Sequence, residues 1–141
     1  MLFALFSWGS RMGRLSYFGY SVLLGIVLVV LGLILLLPLR NATNAQGVTI
    51  AIVLILVAMA IWGGFCLAAK RLHDINLSAW HYAWMIVVPA ICNGLGAAMQ
   101  ETMKVPGLTL IIIGGVISLS VGLFLLLWPG TDGPNDYGER E

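Results

Sequence analysis

The chain of 141 residues is too apolar for a soluble globular protein, since 60% of its residues are hydrophobic and only 9% are charged, against roughly 25% charged residues in soluble domains. Its formal net charge of +1 excludes nucleic acid as a partner, because such binding requires many basic groups to neutralise phosphates. At this length we expect one compact unit, with no room for a folded catalytic domain beside a membrane bundle.

Four long runs without Asp, Glu, Lys or Arg separate the charged clusters. Each run has room for the roughly 20 apolar residues that cross a bilayer core of about 30 Å as a helix. The runs are apolar on all sides, unlike the alternating strands of a membrane β-barrel. We therefore predict an all-α membrane protein with four transmembrane helices, near residues 18–37, 48–69, 80–99 and 107–128.

The first apolar run is interpreted as an uncleaved span. A secretory signal begins with positive charge and carries a short apolar region before its cleavage site. Here the order differs, because residues 1–8 are mostly apolar and Arg14 precedes a full-length span. We divide the chain into an N-terminal cytoplasmic or interfacial segment (1–17), with residues 1–8 in the interface, a four-helix transmembrane bundle (18–128) and a cytoplasmic tail (129–141).

The Lys and Arg residues are distributed unequally between the two predicted sides of the membrane. Arg40 and Lys104 fall on one side, and the larger group on the other side contains Arg11, Arg14, Lys70, Arg71 and Arg140. An excess of Lys and Arg in short loops marks the cytoplasmic side. Both termini are therefore predicted to be cytoplasmic.

Small residues recur at helical spacing inside the predicted spans. These stripes are Ser21 with Gly25 and Gly32, Ala60-Gly64-Ala68, Ala90-Gly94-Ala98, and Gly114-Ser118-Gly122. Small residues let helix backbones approach closely in lipid. Packing within the bundle is the preferred interpretation, and a dimerisation surface is the alternative.

The only dense polar run between spans lies at residues 70–78. If the second helix continues through it, Asp74 has Lys70 and Arg71 on one helical face, and Ser78 is a candidate N-cap for the third span. In one interpretation Lys70 and Arg71 set the topology and extend their charged ends to water. In the other, the run joins Arg11, Arg14 and the tail in a cytoplasmic-face site for an anionic headgroup, an ion or a partner protein.

The polar residues do not predict an enzyme. The sequence offers no set of nucleophile, base and orienting group, no phosphate-binding glycine loop, and no paired carboxylates within the spans. Cys66 and Cys92 make no metal-ligand spacing with a histidine. We therefore expect neither catalysis nor a metal or cofactor.

Three polar blocks, at residues 10–18, 71–80 and 129–138, are similar to a known family pattern. The family usually has Gly-Arg-x-x-Arg-x-x-Tyr-Trp, then Arg-Leu-His-Asp-x-Gly-x-Ser-Gly-Trp, then Pro-Gly-Thr-x-Gly-x-Asn-x-Tyr-Gly. Here the first block differs at its first and last positions, and Asn76 and Ala79 replace the two glycines of the second. Over nearly its whole length the chain thus resembles the bacterial membrane proteins of domain of unknown function 805.

The resemblance implies a multi-pass protein of the bacterial inner (plasma) membrane without an assigned activity. The residues that it carries over, as a structural or binding cluster with no catalytic member, are Arg11, Arg14, Arg71, His73, Asp74, Asn135 and Tyr137. The leading hypothesis is a non-enzymatic membrane protein whose cluster binds a lipid headgroup or a partner protein. The other partners considered are membrane lipids and a second copy of the chain.

The alternative hypothesis is a small transporter or channel component. Transporters usually carry ionisable groups or interrupted helices near the midplane of the membrane. Here only Pro89, Asn93 and the glycine pairs at 63–64 and 114–115 interrupt the spans.

Overall fold

The computed structural model describes residues 9–42 and 45–138. Within them the chain is helical, with no strand, and Asn135 and Gly138 form an isolated bridge. The elements are α1 (Arg14–Leu36), a 3-10 turn (Pro38–Asn41), α2 (Gln46–Asp74), α3 (Trp80–Met99) and α4 (Lys104–Leu127). The predicted all-helical fold is confirmed. The interfacial position predicted for residues 1–8 and the contribution of Arg140 to the charge bias lie outside the described residues.

All four α-helices are long and apolar enough to cross a membrane, and the shortest has 20 residues, about 30 Å at 1.5 Å per residue. The protein is therefore a multi-pass membrane protein. The helices begin before the spans predicted at 18 and 107, at Arg14 and Lys104, and α2 runs beyond residue 69 to Asp74. This extension places the charged end of α2 on the bundle instead of in a loop.

The helices associate in two pairs, α1 with α2 and α3 with α4, and contacts between the pairs are sparse. The pairs meet at the end where α1 and α3 begin and α2 and α4 end. There Ala68, Leu72 and Leu125 form a buried cluster, and Tyr17 and Tyr82 are among the partly buried residues packed on it. We call this the core end. All three polar blocks of the sequence lie at it.

The backbones of α3 and α4 approach each other closely at glycines. A Cβ atom added at Gly96 would lie 2.7 Å from the carbonyl oxygen of Gly107, and one added at Gly107 would lie 2.8 Å from that of Gly96. A Cβ at Gly114 would lie 2.8 Å from the side-chain oxygen of Asn93. These three glycines therefore allow the two backbones to pack closely.

The predicted small-residue stripes are only partly correct. In the described chain, a Cβ atom added at four of these glycines would lie more than 4 Å from any atom of a neighbouring helix: Gly25, Gly64, Gly94 and Gly122. Gly63, one position from the predicted stripe, is the glycine of α2 that packs, since its Cβ would lie 2.9 Å from Leu24. Spacing alone does not fix which face of a helix meets its neighbour.

The turn from α2 to α3 closes the end of α2 with a Schellman motif. The amide of Leu77 donates to the carbonyl of Leu72 at 2.8 Å, and that of Asn76 to the carbonyl of His73 at 3.1 Å. Asn76 has a φ of 63°, the left-handed conformation that this cap requires. The N-cap position of α3 falls to Ala79, not to Ser78, although Ser78 Oγ accepts from the amide of Trp80 at 3.3 Å.

Substitutions at Asn76 are expected to follow its backbone conformation. Asn76→Gly should change the free energy of unfolding little, because glycine adopts positive φ without strain. Asn76→Val should destabilise by about 1–2 kcal/mol, because valine bears the cost of a left-handed conformation that asparagine tolerates. Thermal unfolding in detergent measures both. Equal stability of the two variants would show that the turn rearranges.

Candidate functional site

Asp74, the last residue of α2, lies between two arginines. Its Oδ2 accepts a hydrogen bond from Nη1 of Arg71 at 2.5 Å, and its Oδ1 lies 3.4 Å from Nη2 of Arg11. All three side chains are fully buried. Buried charges are expensive to leave unpaired, so this arrangement, called the clasp (Arg11, Arg71 and Asp74), depends on its carboxylate.

Arg71 also joins α2 to the end of α4. Its Nε donates to the carbonyl of Leu125 at 2.6 Å, and its Nη2 donates to the carbonyl of Trp128. The last carbonyls of a helix lack partners within the helix and carry partial negative charge. Arg14 makes a more exposed bond of the same kind, from Nη1 to the carbonyl of Leu127 at 3.3 Å. Cationic side chains thus cap the C-terminus of α4.

Arg11 holds the tail. Its Nη1 donates to the carbonyls of Gly133 and Gly138, both at 2.7 Å. Its Nη2 donates to the carbonyl and to the hydroxyl of Thr131, both at 2.9 Å. One guanidinium therefore connects the N-terminal segment, the end of α2 and the tail, using the several donors that arginine presents in one plane.

The tail also binds the last turn of α2 directly. The amide and the hydroxyl of Thr131 donate to the carbonyl of Asp74 at 2.8 and 3.0 Å. Asn135 Nδ2 donates to the carbonyl of His73 at 2.8 Å, and Asn135 Oδ1 accepts from the amide of Tyr137 at 2.9 Å. The rings of His73 and Tyr137 are stacked, with centroids 4.0 Å apart. These contacts supply hydrogen-bond donors to the last carbonyl oxygens of α2, which a helix end leaves without partners in the helix itself.

The structure places the residues singled out in the sequence at the core end. Six of them share one contact network: Arg11, Arg71, His73, Asp74, Asn135 and Tyr137. Arg14 lies at the edge of this network, and within the described chain it donates to the carbonyl of Leu127 and not to Asp74.

Two features were not predicted from the sequence. In one of the two interpretations Lys70 extends to water, but it is 1% exposed and therefore buried with the clasp. Thr131 was not singled out, although it contacts both Arg11 and Asp74. The one sequence signal for Thr131 was its place in the Pro-Gly-Thr block. The other acceptors of Arg11 in the tail, at Gly133 and Gly138, are backbone carbonyls, which no residue type in the sequence reveals.

Among residues 9–42 and 45–138, the buried charged side chains at the core end are three cationic ones, Arg11, Lys70 and Arg71, and one carboxylate, that of Asp74. Carbonyl oxygens at the ends of α2 and α4 offset part of this excess. Within residues 9–42 and 45–138, no group of three or more His, Cys, Asp or Glu could hold a metal ion.

The chain matches one protein-family model. That model is described as "Protein of unknown function (DUF805)" and matches residues 5–139, a range that includes all four helices and the three polar blocks. The chain belongs to the DUF805 family. No curated protein and no solved structure matches it.

A groove of about 650 Å³ opens beside the clasp of this DUF805 protein. Its lining changes from polar to aromatic, and includes His73, Ser78, Tyr137, Trp80, Phe65 and Trp62. Trp62 and His73 lie on one face of α2, and their separation of 11 positions corresponds to about 16 Å along the helix axis. The groove therefore runs from the polar core end into the apolar part of the bundle.

Proposed function

We propose that this DUF805 protein is a non-enzymatic protein of the bacterial inner membrane that binds a membrane lipid at its cytoplasmic face. The observation that carries this proposal is the groove, whose polar end contains His73 and Tyr137 and whose apolar length contains Trp62 and Phe65. A lipid is polar and apolar in the same order, with a polar headgroup at the level of the interface and acyl chains below it. The volume is within the range of about 300–1,000 Å³ that is usual for ligand sites.

The cytoplasmic orientation is supported by the distribution of charge. The core end contains Arg11, Arg14, Lys70 and Arg71, whereas Arg40 and Lys104 lie at the opposite end. An excess of Lys and Arg marks the cytoplasmic side of short loops. The bacterial location is supported by the resemblance of the three polar blocks to bacterial membrane proteins.

The clasp has a structural role in this proposal. Its donors are directed to Asp74 and to backbone carbonyls of α4 and the tail. These bonds hold the arginine side chains in place and use their N–H groups within the protein. By holding the tail on α2, the clasp keeps Tyr137 stacked on His73, and so it shapes the polar end of the groove.

Removal of the aromatic wall is expected to release the lipid. Trp62→Ala should lower the fraction of detergent-purified protein that retains lipid in native mass spectrometry by about tenfold, since burying a side chain of this size against a ligand contributes about 1.5–3 kcal/mol. The matched control is Trp84→Ala. Trp84 is 63% exposed, similar to Trp62 at 53%, but it does not line the groove.

Equal lipid retention by the two variants would contradict a site in the groove. The same spectra identify a polypeptide or a second copy of the chain if one is bound in place of lipid. Either of these species, retained by the wild type and lost from Trp62→Ala, would replace lipid as the ligand of the groove.

A second candidate function, transport, is favoured by one observation. A cleft of about 330 Å³ between α3 and α4 is lined by Tyr82, Pro89, Asn93 and Ser118, which places polar groups and a helix-interrupting proline within the spans. Solute flux in proteoliposomes distinguishes this function, because lipid binding in the groove requires none.

A further inference from the structure

We infer that the protein has a second lipid site, where α1 begins and α4 ends, and that its ligand is a phospholipid with a primary ammonium group, such as phosphatidylethanolamine. Two adjoining cavities form this site, and Arg14 lines both of them. They share no lining residue with the groove proposed above. The second site is therefore separate from the first and does not depend on it.

The larger of the two cavities, called the recess, has a volume of about 480 Å³. Apart from Arg14, its lining is apolar and consists of Leu15, Phe18, Leu126 and Leu127. Leu15, Phe18 and Leu127 are exposed, on helices that are long and apolar enough to cross the membrane. Lipid tails are as apolar as leucine, so an acyl chain reaches the recess directly from the bilayer.

The smaller cavity, called the polar pocket, has a volume of about 220 Å³ and lies where the tail leaves α4. Arg14, Asp74, Pro129, Gly130 and Asp132 line it. A water molecule has a share of about 30 Å³ in the liquid, so the pocket has room for a group of a few heavy atoms. Asp74 is buried in the clasp, whereas Asp132 is exposed, and an added solute therefore meets the carboxylate of Asp132.

Arg14 and Asp132 have opposite charges and line the same pocket, yet they do not pair with each other. The ion pairs within residues 9–42 and 45–138 join Asp74 to the other two arginines of the clasp. The bond from Arg14 to the carbonyl of Leu127 is 3.3 Å long, beyond the usual range of about 2.7–3.2 Å. Since a guanidinium has five N–H donors, Arg14 can also bind an anion.

The order of these features matches the order of groups in phosphatidylethanolamine. With its phosphate at Arg14, the lipid places an acyl chain in the recess and its ammonium group in the polar pocket beside Asp132. A primary ammonium group donates charge-assisted hydrogen bonds to a carboxylate. The quaternary ammonium of phosphatidylcholine has no N–H to donate, and phosphatidylglycerol has no positive charge to place beside Asp132.

The test is a titration of the detergent-purified full chain with phosphatidylethanolamine, phosphatidylcholine and phosphatidylglycerol, with the added bound lipid counted by native mass spectrometry. The titration uses the Trp62→Ala variant, because its groove site is weakened while the recess and the polar pocket are intact. We expect phosphatidylethanolamine to bind about fivefold more tightly than each of the other two lipids, the effect of one exposed ion pair.

Two further substitutions in this variant separate the parts of the site. Asp132→Asn should weaken phosphatidylethanolamine binding by about fivefold and should not weaken phosphatidylglycerol binding, so the preference disappears. Arg14→Gln should weaken both by about fivefold, since both lipids carry the phosphate. The matched controls are Asp136→Asn and Arg40→Gln, at exposed positions outside both cavities, and neither should change the affinities.

Equal binding of phosphatidylethanolamine and phosphatidylcholine would overturn the primary ammonium group. Equal binding of phosphatidylethanolamine and phosphatidylglycerol would overturn the pairing with Asp132. Unchanged affinities in Arg14→Gln would refute the site as a whole. None of these results bears on the groove, whose test is the lipid retained during purification by Trp62→Ala and Trp84→Ala, so failure of one site is distinguished from failure of the other.

Discussion

Asp74→Asn is expected to be among the most destabilising single substitutions at the core end, lowering the free energy of unfolding by about 3–5 kcal/mol. The reason is burial, since the carboxylate and both arginines are fully buried and the amide would leave Arg11 and Arg71 without their anion. An exposed pair contributes only about 0–1 kcal/mol. The measurement is thermal unfolding in detergent, together with protease cleavage of the tail.

Arg14→Ala is the control for this effect. Arg14 follows Arg11 by three residues and makes an exposed bond to the carbonyl of Leu127, so its loss should change stability little. For the same reason, exchange of charges between Asp74 and Arg14 should not restore stability. Rescue by that exchange would show that Arg14, and not Arg11, pairs with Asp74 in the membrane.

Arg11→Met separates the tail from the rest of the clasp. Arg71 would still bind Asp74 at 2.5 Å, but the carbonyls of Gly133 and Gly138 would lose the hydrogen bonds that Arg11 donates to them. We expect faster proteolysis of the tail and a smaller loss of melting temperature than for Asp74→Asn. If the tail stayed protected, its remaining bonds through Thr131 and Asn135 would be sufficient to hold it.

The spans were predictable because their signal is local. A bilayer core of about 30 Å demands a run of apolar residues, and all four predicted spans fall in helices that are long and apolar enough. The end of α2 was harder to place. Lys70, Arg71 and Asp74 have the composition of a loop, but burial by the tail and by Arg11 keeps them in the helix.

The candidate site was predictable in its charged residues but not in its geometry. The sequence placed Lys70 and Arg71 near Asp74 on one helical face and Arg11 and Arg14 in a neighbouring polar block, without deciding which of these cations pairs with it. Backbone carbonyls decide which arginines pair with Asp74. Those of α4 accept hydrogen bonds from Arg71, and those of the tail accept hydrogen bonds from Arg11. The groove depends on the spatial relation between α2, α3 and the tail, which sequence spacing does not encode.

Alanine substitutions of glycines in α3 are expected to have opposite signs. In a helix, Gly→Ala usually stabilises by up to about 1 kcal/mol, and Gly94 has room for a methyl group. Gly94→Ala should therefore be neutral or stabilising. Gly96→Ala should destabilise by about 1–3 kcal/mol, the usual cost of overpacking, because its Cβ would lie 2.7 Å from the carbonyl oxygen of Gly107.

Leucine substitutions at Gly96 in α3 and at Gly114 and Gly122 in α4 enlarge the contrast and test how the two helices are held together. Gly96→Leu cannot be relieved by a side-chain rotation, since the group in its way is the backbone of α4, and the two helices must separate. Gly114→Leu meets the side chain of Asn93, which can move, and should cost less; Gly122→Leu has open space around it and should cost least. Melting temperatures in detergent should therefore decrease in the order Gly122→Leu, Gly114→Leu, Gly96→Leu. The reverse order would mean that the Gly122 face, and not the Gly96 face, packs against a helix.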